Sequence, residues 1–107
     1  MTALRVRPAA DADTDAAAEY YAREASLDVA LRFLTALREA YERLVEHPGI
    51  GPEVQRFDAR LAGLRYWPIP GFERFLIFYD PSPGVIDVVS VLHGSRDLEE
   101  LLAADDA

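Results

Sequence analysis

Five residues in the second half of the chain have side chains suited to phosphoryl chemistry: Arg65, Arg74, Tyr79, His93 and Arg96. Arginines hold a scissile phosphate and stabilise the charge of its pentavalent state. A histidine or tyrosine can move the proton of a ribose 2′-hydroxyl. Together they would make a metal-free endoribonuclease, provided three strands and a corner bring them to one side of a sheet. The competing reading is structural. Arg74 alternates with Leu76 and Phe78 and can pair with a nearby acid, and Arg65 can stack on an aromatic neighbour.

Other chemistries are poorly provided for. His47 and His93 lie far apart, without H-x-x-x-H or paired-carboxylate spacing, so no metal site is expected. His47 before Pro48 better suits a helix end, where a donor meets free carbonyls. The chain has no cysteine, which excludes disulfides, thiolate zinc sites and a cysteine nucleophile. Ser90 and Ser95 lie outside any G-x-S-x-G pattern. Gly49-Ile50-Gly51 lacks the lysine of a phosphate loop and does not join a strand to a helix. No cofactor is expected.

His93 and Arg96 belong to the stretch VLHGSRDLEELL, from Val91 to Leu102, which has a good structural account. Gly94 permits a sharp turn. Ser95 or Asp97 can cap a following helix, and Asp97 with Glu100 forms a D-x-x-E capping box. Leu98, Leu101 and Leu102 would give that helix an apolar edge to dock on a sheet.

The remaining elements follow from patterning. Leu4, Val6 and Pro8 alternate with Arg5 and Arg7 and read as a short edge strand ending at proline. Asp11, Asp13 and Asp15 suit a helix start, and Ala16 to Ala25 should be helical with a small apolar face. A second helix starts after Ser26, a plausible N-cap, and runs to about His47, where Pro48-Gly49 stops it. Val29, Ala30, Phe33, Ala36, Leu37, Ala40 and Leu44 form one apolar stripe. Leu27, Leu31, Leu34, Tyr41 and Val45 form another beside it. Together they span about 220°, wider than one buried face requires. The second stripe therefore either packs on the first helix or waits for a partner chain. A loop at 48–52 and a stretch at 53–62 with no clear period and room for a helical turn come next. Three strand-like runs follow, 64–69, 75–79 and 85–92, joined by Pro-Gly turns as an antiparallel meander. The last is apolar on both faces, as a central strand should be. The fold class is α+β: β-α-α-β-β-β(-α), an N-terminal helical hairpin on a small antiparallel sheet with a short C-terminal helix.

At 107 residues the chain reads as one domain, 1–107, with 103–107 a frayed acidic tail. The formal charge is −8, all eleven basic residues are arginine, and there is no lysine. Such a chain is a poor general nucleic-acid binder, because phosphate contacts supply most of that affinity. No secretory or membrane-length apolar run is present, so a cytoplasmic location is expected.

The runs LAGLRYWPIPGFERFLIFYD and GVIDVVSVLHGSRDLEELL, with the earlier PAADAD, ALRFLTAL and HPGIG, resemble the ParE branch of the RelE/ParE toxin superfamily. The resemblance covers about Ala3 to Leu102. It implies the same β-α-α-β-β-β-α order and the toxin of a type II toxin–antitoxin pair, neutralised by a ParD-like antitoxin in a hetero-oligomer. It implies DNA gyrase as the target, inhibited by protein binding, with DNA engaged only through the antitoxin. Antitoxins of this kind carry a C-terminal segment that folds along the toxin. Leu27, Leu31, Leu34 and Tyr41 are the expected residues for it. The RelE-like alternative is a ribosome-dependent mRNA endonuclease, which relies on lysines and arginines near the phosphate. This chain has no lysine, and Asp80 stands where arginine is common in the ParE branch. A third reading is an inactive toxin kept as an antitoxin-binding protein.

Overall fold

The computed structural model describes residues 2–54 and 63–94. The expected C-terminal helix, its caps Ser95 and Asp97, the candidate Arg96 and most of the 53–62 stretch lie outside them. The described elements are β1 (Ala3–Val6), α1 (Pro8–Glu24), α2 (Leu27–Glu46), β2 (Arg65–Ile69), β3 (Phe72–Ser82) and β4 (Val85–His93). Two helices on a four-stranded sheet make an α+β fold in the expected order.

The sheet order is β1-β4-β3-β2. The last three strands form the antiparallel meander that the two Pro-Gly turns predict. Gly71 and Gly84 sit at φ +84° and +80°, the left-handed value that the second central position of a type II turn requires. β1 pairs with β4 in parallel, Ala3 opposite Val85 through Val6 opposite Val88, so the sheet is mixed. Alternation alone left β1's partner and direction open. The helical hairpin that follows β1 supplies the long connection that a parallel pairing needs.

α1 starts eight residues earlier than the alanine run suggests. Pro8 occupies its first turn, where proline's fixed φ suits a helix and its missing N–H costs nothing. Asp11, Asp13 and Asp15 therefore lie inside the helix. α2 begins as expected: Ser26 is extended, and its Oγ accepts from Val29 N at 3.1 Å. His47 caps the far end through its backbone, its N–H donating to the Arg43 carbonyl at 2.9 Å.

The first stripe of α2 faces the core. Ala30, Phe33, Leu37, Ala40 and Leu44 are buried with Ile69, Phe75, Ile77, Tyr79, Ile86, Val88 and Val91. Phe33 meets Tyr21, Phe72 and Phe75 with ring centroids 5.3–5.5 Å apart. Each fully buried large side chain here contributes about 1.5–3 kcal/mol of transfer free energy. On the opposite face of the sheet, Val54 and Phe78 are buried against Leu64, Tyr66, Leu76 and Leu92.

Candidate functional site

The register divides the residues suited to phosphoryl chemistry. Arg65 lies opposite Tyr79, and Phe75, one position after Arg74, lies opposite His93. Arg74 and Tyr79 stand five residues apart on β3, roughly 16 Å at about 3.3 Å per residue. Arg65 and Tyr79 thus sit at one end of the sheet, Arg74 and His93 at the other.

Both members of the first pair are committed to the loop after α2. The Tyr79 hydroxyl is buried; it donates to the Pro48 carbonyl and accepts from Gly51 N, each at 3.0 Å. Burial pushes its pKa up, which is the wrong direction for a base. Arg65 Nη1 donates to the Gly51 carbonyl at 2.6 Å and to the Gly49 carbonyl at 3.4 Å, and Nη2 lies 3.6 Å from Glu53. Their placement gives each a structural role in holding this loop on β2 and β3.

At the other end, His93 stands edge-on to Phe75, ring centroids 5.4 Å apart. Arg74 is exposed and lines an open depression of about 540 Å³ with Tyr21, Gly71, Phe72 and Glu73. Its backbone carbonyl accepts from Gly94 N, which ties the end of β4 to β3. Among the described residues no three His, Cys, Asp or Glu side chains gather as they would around a metal ion.

The second stripe of α2 is where apolar surface meets solvent. Leu27, Leu31 and Leu34 are 67%, 54% and 38% exposed, although helix α1 lies alongside. The alanines of α1 bring its backbone close to α2 without reaching over this face. Positions 27, 31, 34, 38, 41 and 45 follow one line along the helix. Toward the C-terminal end that line enters a groove of about 340 Å³ walled by Leu4 of β1 and by Arg38, Tyr41, Glu42, Val45 and Glu46 of α2. The i, i+4 spacing of the second stripe foreshadowed Tyr41 and Val45 here. The edge strand was legible from the alternation ending at Pro8, but nothing in the sequence announced that Leu4 meets α2 here, because that contact is a tertiary fact.

Tyr41 is unusual within the groove. Its hydroxyl is buried and meets no hydrogen-bond partner among the described residues. Burial pushes its pKa up to about 12, against a smaller pull from the nearby Thr14 hydroxyl. That hydroxyl donates its own proton to the Ala10 carbonyl at 2.9 Å.

Two carboxylates have structural roles that the sequence reading did not assign. Asp13 Oδ2 accepts from Val91 N at 3.0 Å. The β1 pairing ends at Val88, so α1 answers a donor on the part of β4 that β1 does not reach. Asp87 receives Arg7 Nη2 at 2.7 Å and Nε at 3.1 Å, with Arg5 Nε at 3.9 Å. The hydrogen bond from Arg7 is the main reason that the Asp87 carboxyl lies below its usual range.

The chain is similar to known proteins in family pattern and in fold. The profile of the ParE toxin of type II toxin-antitoxin system, parDE, matches residues 4–98. Among solved structures, the chain is similar to one from the chromosomal ParDE TA system of P. aeruginosa, with a TM-score of 0.72 at 20% identity. The match covers 87% of this chain and 96% of that one. No curated protein sequence matches.

Proposed function

The chain belongs to the ParE toxin family of type II toxin–antitoxin systems, and from that premise we propose that it acts by binding proteins, not by cutting RNA. Its partner is a ParD-like antitoxin, its target DNA gyrase, and its place of action the cytoplasm. The observation that carries the antitoxin reading is the row of exposed leucines on α2, Leu27, Leu31 and Leu34, running into the groove at Tyr41. A contiguous apolar row on a helix that already fills its core stripe is surface set aside for a partner. A helix or strand of the antitoxin covering it would neutralise the toxin and bring DNA into the complex only through the antitoxin.

The protein-binding reading is favoured over the RelE-like nuclease by what Arg65 and Tyr79 do. Both hold the loop at 48–53, and the Tyr79 hydroxyl already has a donor and an acceptor. Arg74 and His93 lie at the far end of the sheet. No helix among the described residues is long and apolar enough to cross a membrane.

The test is expression of the chain alone, and then with the small reading frame beside its gene. Growth arrest relieved by the neighbour is expected. Undisturbed growth, or arrest that the neighbour cannot relieve, removes the toxin reading. Purified protein should block supercoiling by gyrase; unchanged supercoiling removes that target. Ribosome-dependent cleavage of mRNA by the purified chain would restore the nuclease.

A further inference from the structure

The described arginines differ in how their charge is met. Arg5, Arg7, Arg23, Arg32 and Arg65 each lie 2.7–3.9 Å from a carboxylate oxygen. Arg38 and Arg43 stand one helical turn from Glu42 and Glu39 on α2. Arg74 is exposed near the start of β3, and its guanidinium forms no ion pair or hydrogen bond among the described residues. The carboxylate next to it in the chain is engaged elsewhere: Glu73 Oε2 accepts from Gly71 N at 2.7 Å and closes the β2–β3 turn. In a chain of net charge −8, a cation without an acid stands out.

Arg74 lines the open depression of about 540 Å³ beside Tyr21, Phe72 and the turn. The two rings form its apolar wall. Tyr21 is fixed by its neighbours: its ring centroid lies 5.2 Å from that of Phe72, 5.3 Å from Phe33 and 5.9 Å from Phe75. Its hydroxyl meets no hydrogen-bond partner among the described residues. Burial pushes the phenol pKa up, with Tyr20 adding to the rise and Arg74 opposing it. The phenol is therefore protonated at neutral pH and free to donate. Gly71 has open space where a β-carbon would stand, so the turn leaves the mouth of the depression clear.

We propose that this depression takes one carboxylate side chain of the toxin's protein target. The Arg74 fork grips both carboxylate oxygens. The Tyr21 hydroxyl donates to one of them, and an apolar residue beside the acid rests on Tyr21 and Phe72. A nucleic acid fits less well. It would bring a row of phosphates to one arginine, beside Glu73, on a chain whose net charge repels polyanions. The antitoxin also fits less well. Its proposed surface is apolar and enters the groove beside β1, whereas the depression lies at the β2–β3 turn, across β4 from that edge. The proposal rests on the protein-binding reading and adds which face meets the target and by what chemistry.

Two measurements on the full chain test it. The first needs no target. Acetyl-Phe-Glu-amide and acetyl-Phe-Gln-amide are titrated into isotope-labelled protein. The glutamate peptide should shift the Arg74 side-chain N–H and the Gly71 and Phe72 amides, and the glutamine peptide should not. Equal shifts with both, or none, would overturn the carboxylate site, and tighter binding of inorganic phosphate would replace it with a phosphate site. The second measurement is inhibition of gyrase supercoiling, with growth arrest beside it. Arg74→Gln should need about tenfold more protein for half inhibition and Tyr21→Phe about threefold more. Arg74→Lys should recover part of the loss, as a point charge without the fork. Glu73→Gln keeps an oxygen for Gly71 N and removes the rival charge, so it should inhibit more strongly. All four should bind the antitoxin like the native chain. Arg74→Gln that inhibits gyrase and arrests growth like the native chain would overturn the target's use of the depression. Antitoxin affinity falling in step with inhibition would assign the depression to the antitoxin instead. If the native chain leaves gyrase and growth untouched, the toxin reading has failed, and the dipeptide shifts still decide the carboxylate site.

Discussion

Arg65 and Tyr79 face each other across β2 and β3, and both close on the same loop. The tyrosine hydroxyl bridges Pro48 O and Gly51 N, and the guanidinium takes Gly51 O from the other side. The loop backbone at Gly51 is buried, so its polar groups need these partners. A pair that looked like a phosphate-binding arginine and a proton-moving phenol is, in its contacts, a clasp.

Tyr79→Phe leaves the Pro48 carbonyl and the Gly51 N–H without that hydroxyl. The expected loss is about 1–3 kcal/mol, measured by urea unfolding. Arg65→Ala should be non-additive with it, because both act on one loop. Gly51→Ala should cost more than either, since a β-carbon would collide with the Tyr66 carbonyl and stand 2.8 Å from the Tyr79 hydroxyl. A Tyr79→Phe protein as stable as the native chain would dismiss the clasp.

Neighbouring apolar residues on α2 should behave oppositely. Phe33 is fully buried among aromatic rings, whereas Leu31 is 54% exposed. Phe33→Ala is expected to lose about 3–5 kcal/mol. Leu31→Ala should stay within about 0.5 kcal/mol of native stability and weaken antitoxin binding instead. Denaturant midpoints and a titration with the antitoxin separate the two effects. Equal destabilisation by both would mean that the second stripe is core.

The elements were legible because their signals are local. Ser26 names its own helix start, and the two Pro-Gly pairs name their turns. The two stripes of α2 were visible from spacing, but their fates were not. Exposure of Leu27 depends on how little of α2 the alanines of α1 cover, and that is a property of two helices together. The cluster of Arg65, Arg74, Tyr79 and His93 looked plausible because residue type carries no register. Once Arg65 is placed opposite Tyr79 and Phe75 opposite His93, the distance along the strands follows. α1 was begun too late because Pro8 was read as the end of a strand, when it is also a good first residue for a helix.

Asp13 shows what such local reading omits, since its partner Val91 is 78 residues away. Asp13→Ala leaves a strand N–H facing α1 without its acceptor, and a loss of about 1–3 kcal/mol is expected. Asp13→Asn keeps a side-chain oxygen and should recover much of it. Exchange of the Val91 amide should quicken in Asp13→Ala and much less in Asp13→Asn. If both variants exchange like the native protein, the carboxylate is not holding β4.

Asp87 gives the fold an acid limit. On the sheet it lies directly opposite Asp80, an arrangement of like charges that is unfavourable without a cation nearby. Arg7 provides the cation, and its hydrogen bond to Asp87 lowers that carboxyl from an ordinary value of 3.8. A carboxyl whose pKa is lower in the folded chain binds its proton more readily when unfolded. Its stabilising contribution is therefore present above pH 3.8 and is lost as pH falls through the lower, folded value. Asp87→Asn should be less stable than the native chain at neutral pH. The two stability curves should converge once pH falls below the folded value of Asp87. The pair is partly exposed, so added salt should narrow the gap at neutral pH. Thermal melts of both proteins from neutral to strongly acidic pH test this, and parallel curves throughout would show that Asp87 does not set the acid limit.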